Sequence, residues 1–357
     1  MKLNDFLNIQ PYSLDRLRKS KYLESSFFEL TKFHYENCME YRRMLDALGY
    51  DHNRQCHYSE IPFLPTRLFK MLDLYSIEKK DIVKTMSSSG TSGQNVSKIF
   101  LDKSTALNQS KALTKIVSTY LGSSRSPMII VDSQSVLKNR NMFSARGAGI
   151  LGFSIFGTKK IYALDENMEL KIDDILAFIE QNKNRQIFIF GFTFMIYQYF
   201  IKEIKNKNIK IDLSNSVLIH GGGWKKLVNE SVTAVEFQKS LDQLCGIHLV
   251  HDYYGMVEQT GSIFMECEYG HMHASNLSDI FIRRPHDFSI ADVGETGIIQ
   301  TLSILPRSYP GHSLLTEDEG VLLGEDDCEC GRCGKYFKII GRIKNAELRG
   351  CSNTYEE

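Results

Sequence analysis

The stretch TMSSSGTSGQNVSK, residues 85–98, decides how the rest of the chain is interpreted. Three serines precede Gly90, and a Thr-Ser-Gly triplet follows it. Glycine lets a backbone turn sharply and approach a ligand closely, and free amides together with hydroxyl groups can surround phosphate oxygens. Lys98 adds a positive charge at the end of the stretch. A Ser/Gly linker is the plain alternative, but linkers are not usually followed by an ordered amphipathic segment such as the one after Lys98. The stretch therefore predicts a phosphate loop, and it is not a Walker loop because the GxxxxGK[ST] order is absent.

Downstream of this loop, short apolar runs alternate with helical pattern, as expected for a mainly parallel sheet covered by helices. The runs are PMIIVD (127–132), RQIFIFGF (185–192), SVLIHGGG (216–223) and IHLVHDYYG (247–255), and the clearest helix is LKIDDILAFIEQNK (170–183). After residue 270 the runs come closer together, which indicates a smaller β-rich subdomain. The predicted class is α/β.

Upstream of the loop, the apolar side chains of residues 24–48 have helical spacing. The segment IPFLPTRLFK (61–70) contains two prolines, which interrupt regular structure, so it is predicted to be a packed connector. The predicted division is a helical N-terminal segment (1–84), an α/β core (85–325) and a short C-terminal segment (326–357).

Composition excludes several classes of protein. The 357 residues are 42% hydrophobic and 24% charged, with zero formal net charge, so nothing indicates a nucleic-acid groove or an anionic membrane surface. No secretory signal and no apolar run of membrane-spanning length is visible. The eight cysteines are expected to be reduced, and the location is expected to be cytoplasmic.

Further motifs follow the phosphate loop in a fixed order: HGGG (220–223), HDYYGMVEQT (251–260), LLTEDEG (314–320) and the GR of IIGRIKNAELRG (339–350). This order resembles that of the adenylate-forming enzymes, which include acyl- and aryl-CoA ligases and luciferases. A carboxylate that attacks the α-phosphate of ATP brings two anions together, so a metal and hydrogen-bond donors must neutralise them. The resemblance therefore implies ATP and Mg²⁺ as cofactors.

The resemblance also implies roles for individual residues. Tyr254 would stack on adenine, Gly255 would leave room for the ligand, and Glu258 would help to hold Mg²⁺. Asp318 and Arg342 would contact the ribose. The full set of expected ATP- and AMP-binding residues is Ser87, Ser88, Ser89, Gly90, Thr91, Ser92, Gly93, Gly221, Gly222, Gly223, Asp252, Tyr253, Tyr254, Gly255, Asp318 and Arg342, with Lys98 and Glu258 as catalytic groups. The sequence departs from the family at Val257, where a threonine is usual. The hydroxyl contact of that threonine to phosphate is then lost, unless Gln259 or Thr260 replaces it.

The stretches SEIPFLPTRLFKM, GFTFMIYQYF and GGGWKK narrow the resemblance to the acyl-protein synthetase family (LuxE-like), over roughly residues 25–357. The segment 265–350 looks closer to phenylacetate-CoA ligases. The chain runs only 15 residues past Arg342, so the C-terminal cap domain of CoA ligases is expected to be absent. The resemblance then implies that Cys351 accepts the acyl group, because a thiolate attacks an acyl-adenylate readily. An ordinary tail cysteine is the alternative.

A second cysteine feature has metal-ligand character, since nitrogen and sulfur donors of this kind suit tetrahedral zinc. Similarity to the C…H…CxC pattern of some phenylacetate-CoA-ligase-like proteins makes Cys267, His273, Cys328 and Cys330 the first choice, with His271 and Cys333 as alternates. The expected role of such a zinc ion is structural. Buried thiols without a metal are the alternative.

These inferences together predict ATP-dependent activation of a carboxylic acid, fatty by resemblance, and transfer of the acyl group to a protein thiol. An acyl reductase or another acyl-accepting protein is the expected partner. Two alternatives stay open: an acyl- or aryl-CoA ligase that uses free coenzyme A, and a non-catalytic nucleotide- or zinc-binding module.

Overall fold

The computed structural model describes residues 3–88, 96–137, 145–223 and 232–343. Ten α-helices are described within these ranges: α1 (Leu3–Phe6), α2 (Arg16–Asn37), α3 (Met39–Ala47), α4 (Leu68–Met71), α5 (Lys103–Leu121), α6 (Ala145–Phe153), α7 (Ile172–Gln181), α8 (Thr193–Met195), α9 (Lys202–Asn206) and α10 (Ala234–Cys245).

Fourteen strands are described in the same ranges: β1 (Leu64–Pro65), β2 (Lys84–Ser87), β3 (Lys98–Leu101), β4 (Ser126–Ser133), β5 (Gly157–Leu164), β6 (Ile187–Phe192), β7 (Ser216–Gly221), β8 (Leu249–Tyr254), β9 (Phe264–Glu266), β10 (Met272–His273), β11 (Ser278–Arg283), β12 (Thr296–Ser303), β13 (Ser313–Glu325) and β14 (Lys335–Arg342).

The described residues fall into two compact units. The first unit holds residues 3–88, 96–119 and 255–343, and the second holds residues 120–137, 145–223 and 232–254. None of the described helices is both long enough and apolar enough to cross a membrane.

The second unit is built on a parallel sheet with the strand order β8-β7-β6-β4-β5. Every residue of β6 and β7 is buried, as expected for a parallel sheet covered on both faces. The sequence prediction of parallel strands from these apolar runs is confirmed. In such a sheet the carboxyl ends of the strands form the edge where ligands bind, and Gly221 of β7 and Tyr253 of β8 lie at that edge.

Helix α10 shows how local sequence sets an element of this unit. Thr233 caps its first turn by accepting a hydrogen bond from the Glu236 amide, and the Glu236 carboxylate accepts one from the Thr233 amide. This reciprocal arrangement is a capping box. The helix ends at Gly246, whose φ of 70° lies in the left-handed region that favours glycine.

The first unit is built on an antiparallel sheet with the strand order β11-β12-β13-β14-β10-β9, and β1 adds to it in parallel on β13. The hairpin of β2 and β3 forms a second, two-stranded sheet. The predicted β-rich region after residue 270 is confirmed by this sheet.

The N-terminal helices pack within the same unit. The predicted helical segment over residues 24–48 consists of two helices, α2 and α3, and the first begins earlier, at Arg16. Asp15 caps α2 by accepting from the Arg18 amide, and the chain becomes extended at Cys38 with φ −125° and ψ 108°. Apolar residues of α2, including Phe27, form one core with residues of β11 and β12, including Phe281.

A buried charged cluster lies between α2 and the sheet of this unit. The Asp279 carboxylate accepts hydrogen bonds from Lys335 Nζ at 3.0 Å and from the Tyr58 hydroxyl at 2.6 Å, and Lys19 Nζ lies 3.8 Å away. Asp279 is 1% exposed and Lys19 2% exposed. Burial opposes ionisation of Asp279, but the two lysines and the tyrosine hydrogen bond outweigh it and lower its pKa.

Candidate active site and metal cluster

The phosphate loop predicted at Ser87–Gly93 is bracketed by the hairpin of β2 and β3. Ser87 and Lys98 face each other across the two strands. Beyond them the Ser88 amide donates to the Ser97 carbonyl, and the Ser97 amide donates to the Ser88 hydroxyl oxygen, both at 2.9 Å. The two ends of the loop are therefore fixed close together. Its centre, Ser89, Gly90, Thr91, Ser92 and Gly93, lies outside the described residues.

Lys98 projects from the start of β3 and is half exposed. Its Nζ lies 3.9 Å from a carboxylate oxygen of Asp73, and both side chains are at least half exposed. An ion pair of this length between exposed groups contributes at most about 1 kcal/mol. A stronger anion can therefore compete with Asp73 for the ammonium group.

Glu258 lies on a single 3-10 turn, Val257–Gln259, in the first unit and is 1% exposed. Gln259 and Thr260 are the residues that could replace the hydroxyl contact missing at Val257, and both side chains make hydrogen bonds to the backbone. The Gln259 side-chain amide donates to two backbone carbonyls, and the Thr260 hydroxyl donates to the Val257 carbonyl at 2.8 Å. The structure therefore gives the Gln259 side chain a role within the fold.

Asp318 and Arg342, both predicted to contact the ribose, face each other on β13 and β14. Arg342 Nε lies 3.7 Å from Asp318 Oδ1, and the two side chains are 34% and 21% exposed. A carboxylate at this position can accept hydrogen bonds from two hydroxyl groups. The antiparallel register brings the two residues together although 24 positions separate them.

The glycine turn at the end of β7 lies in the second unit. Gly222 has a φ of 77°, which a residue with a side chain rarely adopts. A Cβ on Gly221 would collide with the ring of Tyr253, whose Cζ would lie 2.8 Å away. A Cβ on Gly223 would have no described residue within 4 Å. Glycines at 221 and 222 are therefore required by packing and conformation, and the turn approaches the aromatic ring closely.

Sequence reasoning missed a polar group beside this turn. His220 Nδ1 lies 2.9 Å from the Thr193 hydroxyl and 3.5 Å from a carboxylate oxygen of Asp252, and Thr193 also donates to the Gly221 carbonyl. Burial, together with the neighbouring His251, lowers the pKa of His220 to about 3, so the imidazole is neutral at physiological pH. The available signal was the histidine directly before the glycines.

Four predicted metal ligands come together in the first unit. Cys267 follows β9, His273 ends β10, and Cys328 and Cys330 lie in the turn between β13 and β14. All four ligand atoms lie within 4.8 Å of one another. The Cys267 and Cys328 sulfurs are 4.0 Å apart, and His273 Nε2 is 3.3 Å from the Cys330 sulfur. Tetrahedral zinc with bonds of about 2.0–2.3 Å requires similar separations.

The two alternate ligands differ in their placement. His271 Nδ1 lies 3.3 Å from the Cys328 sulfur, at the border of the cluster. Cys333 is not a member of the four-residue group, and its amide donates to the Tyr12 carbonyl. Burial raises the pKa of the Cys328 thiol to about 12, so a metal that binds here must displace protons. The seven cysteines within the described ranges are free thiols, and Cys351 lies outside those ranges.

Comparison with known proteins gives a match over nearly the whole chain. A family model described as acyl-protein synthetase, LuxE, matches residues 2–357. The long-chain-fatty-acid–luciferin-component ligase of Aliivibrio fischeri is 24% identical over 344 residues, covering 94% of this chain and 86% of that protein. The ligase of the same name from Vibrio harveyi is 24% identical over 335 residues, covering 90% of this chain and 84% of that protein.

Solved structures show the same fold. A 2-hydroxyisobutyryl-CoA ligase in the postadenylation state with R3-HIB-AMP has a TM-score of 0.71 at 14% identity, covering 94% of this chain and 69% of that chain. An open conformation of that ligase with 2-HIB-AMP and CoA has a TM-score of 0.71 at 13% identity, covering 94% and 77%. Both units of this chain thus carry the architecture of an adenylate-forming enzyme core.

Proposed function

The chain belongs to the acyl-protein synthetase family, LuxE, and from this premise we propose that it activates a fatty acid with ATP and transfers the acyl group to a protein thiol. The observation that carries the proposal is the register that sets Asp318 opposite Arg342. The two residues were assigned to the ribose from separate motifs, and a shared ligand requires them to be neighbours. The long-chain acid is proposed from the names of the two related ligases.

In the first half-reaction, a carboxylate oxygen attacks the α-phosphorus of ATP. A P–O bond forms to the acid, the bond to the β-phosphate breaks, and pyrophosphate leaves. Lys98 and the loop that begins at Ser87 would stabilise the negative charge on the phosphates, and Asp318 would accept hydrogen bonds from the ribose hydroxyls. In the second unit, the Gly221–Gly223 turn and Tyr254 would supply close backbone approach and a stacking ring.

Magnesium fits this scheme because it usually binds through one or two carboxylates together with substrate phosphates. Glu258 supplies a carboxylate on a short turn that is fixed by buried hydrogen bonds. When bound, the ion would withdraw charge from the phosphates. Glu258 would hold it in place.

In the second half-reaction, a thiolate sulfur attacks the acyl carbonyl carbon, the carbon–oxygen bond to phosphate breaks, and AMP leaves with the electron pair. We propose Cys351 as the acceptor, on the family resemblance, and an acyl reductase as the protein that consumes the thioester. Free coenzyme A is the rival acceptor. The label of a radioactive fatty acid distinguishes the two, since it stays with precipitated protein in the first case and moves to a small thioester in the second.

We also propose that Cys267, His273, Cys328 and Cys330 bind a structural zinc ion. His273 Nε2 lies 3.3 Å from the Cys330 sulfur, and three thiols with one imidazole form a donor set typical of such sites. The ion would join the ends of β9, β10 and the turn before β14.

Elemental analysis of the full chain, purified without added metal, tests the zinc proposal and should give about one equivalent. The Cys328→Ser, Cys330→Ser double variant should lose the metal and melt at lower temperature, because bound metal stabilises the folded state. Cys56→Ser is the control and should retain the metal. A small fraction of an equivalent in the unmodified protein would overturn the site, and loss of metal in Cys333→Ser would show that the ligand set is wrong.

The main proposal is tested by exchange of labelled pyrophosphate into ATP. The exchange should depend on Mg²⁺ and on an added carboxylic acid, and a panel of chain lengths should show a preference for long acids. Exchange that needs no acid, or none with any acid, would contradict it and would favour a non-catalytic nucleotide-binding module.

A further inference from the structure

The turn that carries Glu258 is held in place by hydrogen bonds from the side chain of the next residue, Gln259. Gln259 is 2% exposed. Its Nε2 donates to the carbonyl of Thr301 on β12 at 3.2 Å and to the carbonyl of Gly311 at 3.0 Å. One amide group therefore joins the turn to a sheet strand and to the loop before β13. Both acceptors are backbone atoms, and that of Thr301 is held in place by the sheet.

The same turn has little room to shift in two further directions. A Cβ on Gly311 would lie 2.8 Å from the carbonyl oxygen of Glu258, and a Cβ on Gly261 would lie 2.7 Å from the backbone of Gln109 on α5. Gly261 has a φ of 89°, so its conformation also requires glycine. The Glu258 carbonyl and the backbone that follows it are thus packed closely against Gly311 and against the backbone of Gln109.

A glutamate that holds a metal ion needs a fixed position, because an error of about 1 Å in a catalytic group can cost about 10² in rate. A 3-10 turn of three residues has few internal hydrogen bonds and cannot fix that position alone. Within the turn, the Gln259 side chain supplies two hydrogen bonds that tie it to β12 and to the loop before β13.

We propose that Gln259 is a positioning residue for Glu258. By donating hydrogen bonds to the carbonyls of Thr301 and Gly311, it fixes the position and direction of the carboxylate that binds the magnesium of ATP. This inference rests on the proposed function. It adds a residue that is not among the proposed ATP-binding residues and that acts only through Glu258. It also explains why the polar side chain of Gln259 is buried.

The test compares Gln259→Met with Gln300→Met in the full-length protein. Gln300 is equally buried, lies on β12 beside Thr301, and also uses its amide in two hydrogen bonds, with Arg283 and Ser313. Methionine keeps the approximate shape and removes the donors. It also removes the Gln259 Oε1 atom, which has no hydrogen-bond partner among the described residues, so part of the stability loss is offset.

Both variants should melt at lower temperature, because each leaves buried polar groups without partners. Only Gln259→Met should raise the Mg²⁺ concentration that half-saturates acid-dependent pyrophosphate exchange, by about tenfold or more. Gly311→Ala places a methyl group against the Tyr309 ring and the Glu258 carbonyl. It perturbs the same turn by a different contact and should shift the Mg²⁺ dependence in the same direction, which keeps the test decisive if Gln259→Met does not fold.

An unchanged Mg²⁺ dependence in Gln259→Met and Gly311→Ala would overturn the inference, and so would an equal shift in Gln300→Met. The failure of the proposed function has a different signature, since the unmodified protein would then show no acid-dependent exchange at all.

Discussion

Replacing Glu258 by glutamine should slow acyl-adenylate formation by about 10²–10³ while the fold is preserved. The substitution keeps the shape of a side chain that is 1% exposed, so it creates no cavity. It removes one negative charge and adds two donors. The loss should therefore appear in the rate and in the dependence on Mg²⁺, and the melting temperature should change little.

The magnitude follows from the electrostatics of a buried carboxylate near a cation. Two unit charges about 4 Å apart interact by about 4 kcal/mol at the effective dielectric constant of about 20 that suits sites in proteins. Each 1.36 kcal/mol corresponds to about tenfold in rate, so this loss is about 10³-fold. The glutamine oxygen can still bind the ion weakly as a neutral ligand, which sets the lower end at about 10²-fold.

The assay is the initial rate of acid-dependent pyrophosphate exchange over a wide range of Mg²⁺ concentrations. Glu325→Gln is the control, because Glu325 is a partly buried glutamate of the first unit, where burial raises its pKa, yet it belongs neither to the proposed ATP-binding residues nor to the proposed zinc ligands. The control should exchange at the normal rate. Glu258→Gln with near-normal exchange would refute the assignment of Glu258.

Three further predictions concern the acceptor, the ribose contact and the buried charges. Cys351→Ser should keep acid-dependent exchange and lose labelling of the protein by radioactive acid, and normal labelling in Cys351→Ser with loss in Cys333→Ser would show that the acceptor is misassigned. Asp318→Asn should raise the KM for ATP by about 10–100-fold, as expected for lost hydrogen bonds to a charged group; an unchanged KM would remove Asp318 from the site. Asp279→Asn should lower the free energy of unfolding by about 3–5 kcal/mol at neutral pH, since it leaves Lys335 with an uncompensated buried charge. The pKa of Asp279 is lowered in the folded state, so this contribution is present above its unfolded pKa of about 3.9 and is lost as the pH falls through the folded pKa; denaturant titrations in which the difference from the unmodified protein persists at low pH would contradict it.

Local sequence was enough to predict the parallel strands of the second unit, because continuous apolar runs such as β6 and β7 are typical of strands buried on both faces. The grouping of Cys267, His273, Cys328 and Cys330 was also predictable. Its ligands fall in two short segments, around Cys267 and Cys328, and cysteine and histidine are informative residue types. What the sequence could not show is how β10 comes to pair with β14, with His273 opposite Tyr336.

Long-range partners were the part that sequence reasoning missed. Nothing near Lys19 indicates that it is buried beside Asp279, about 260 residues later, since a lysine on a helix is usually exposed. The break of the long N-terminal helix at Cys38 was also missed, because no proline or glycine marks it. His220 and Thr193 were overlooked for a similar reason: their contact depends on the alignment of β6 with β7.

The predictions that fall on Ser89–Gly93 and on Cys351 lie outside the described residues and stay predictions, as does the three-part division of the chain.

The central claim is that the carboxylate itself attacks the α-phosphorus of ATP, and transfer of ¹⁸O tests it most directly. The full-length protein is incubated with ATP, Mg²⁺ and a long-chain acid that carries ¹⁸O in both carboxylate oxygens, with a thiol acceptor present. When the acyl group moves to the thiol, one of those oxygens must remain on AMP. Mass spectrometry should therefore find one ¹⁸O atom in the AMP formed. Unlabelled AMP, or ADP formed together with ¹⁸O-labelled inorganic phosphate, would contradict an acyl-adenylate route.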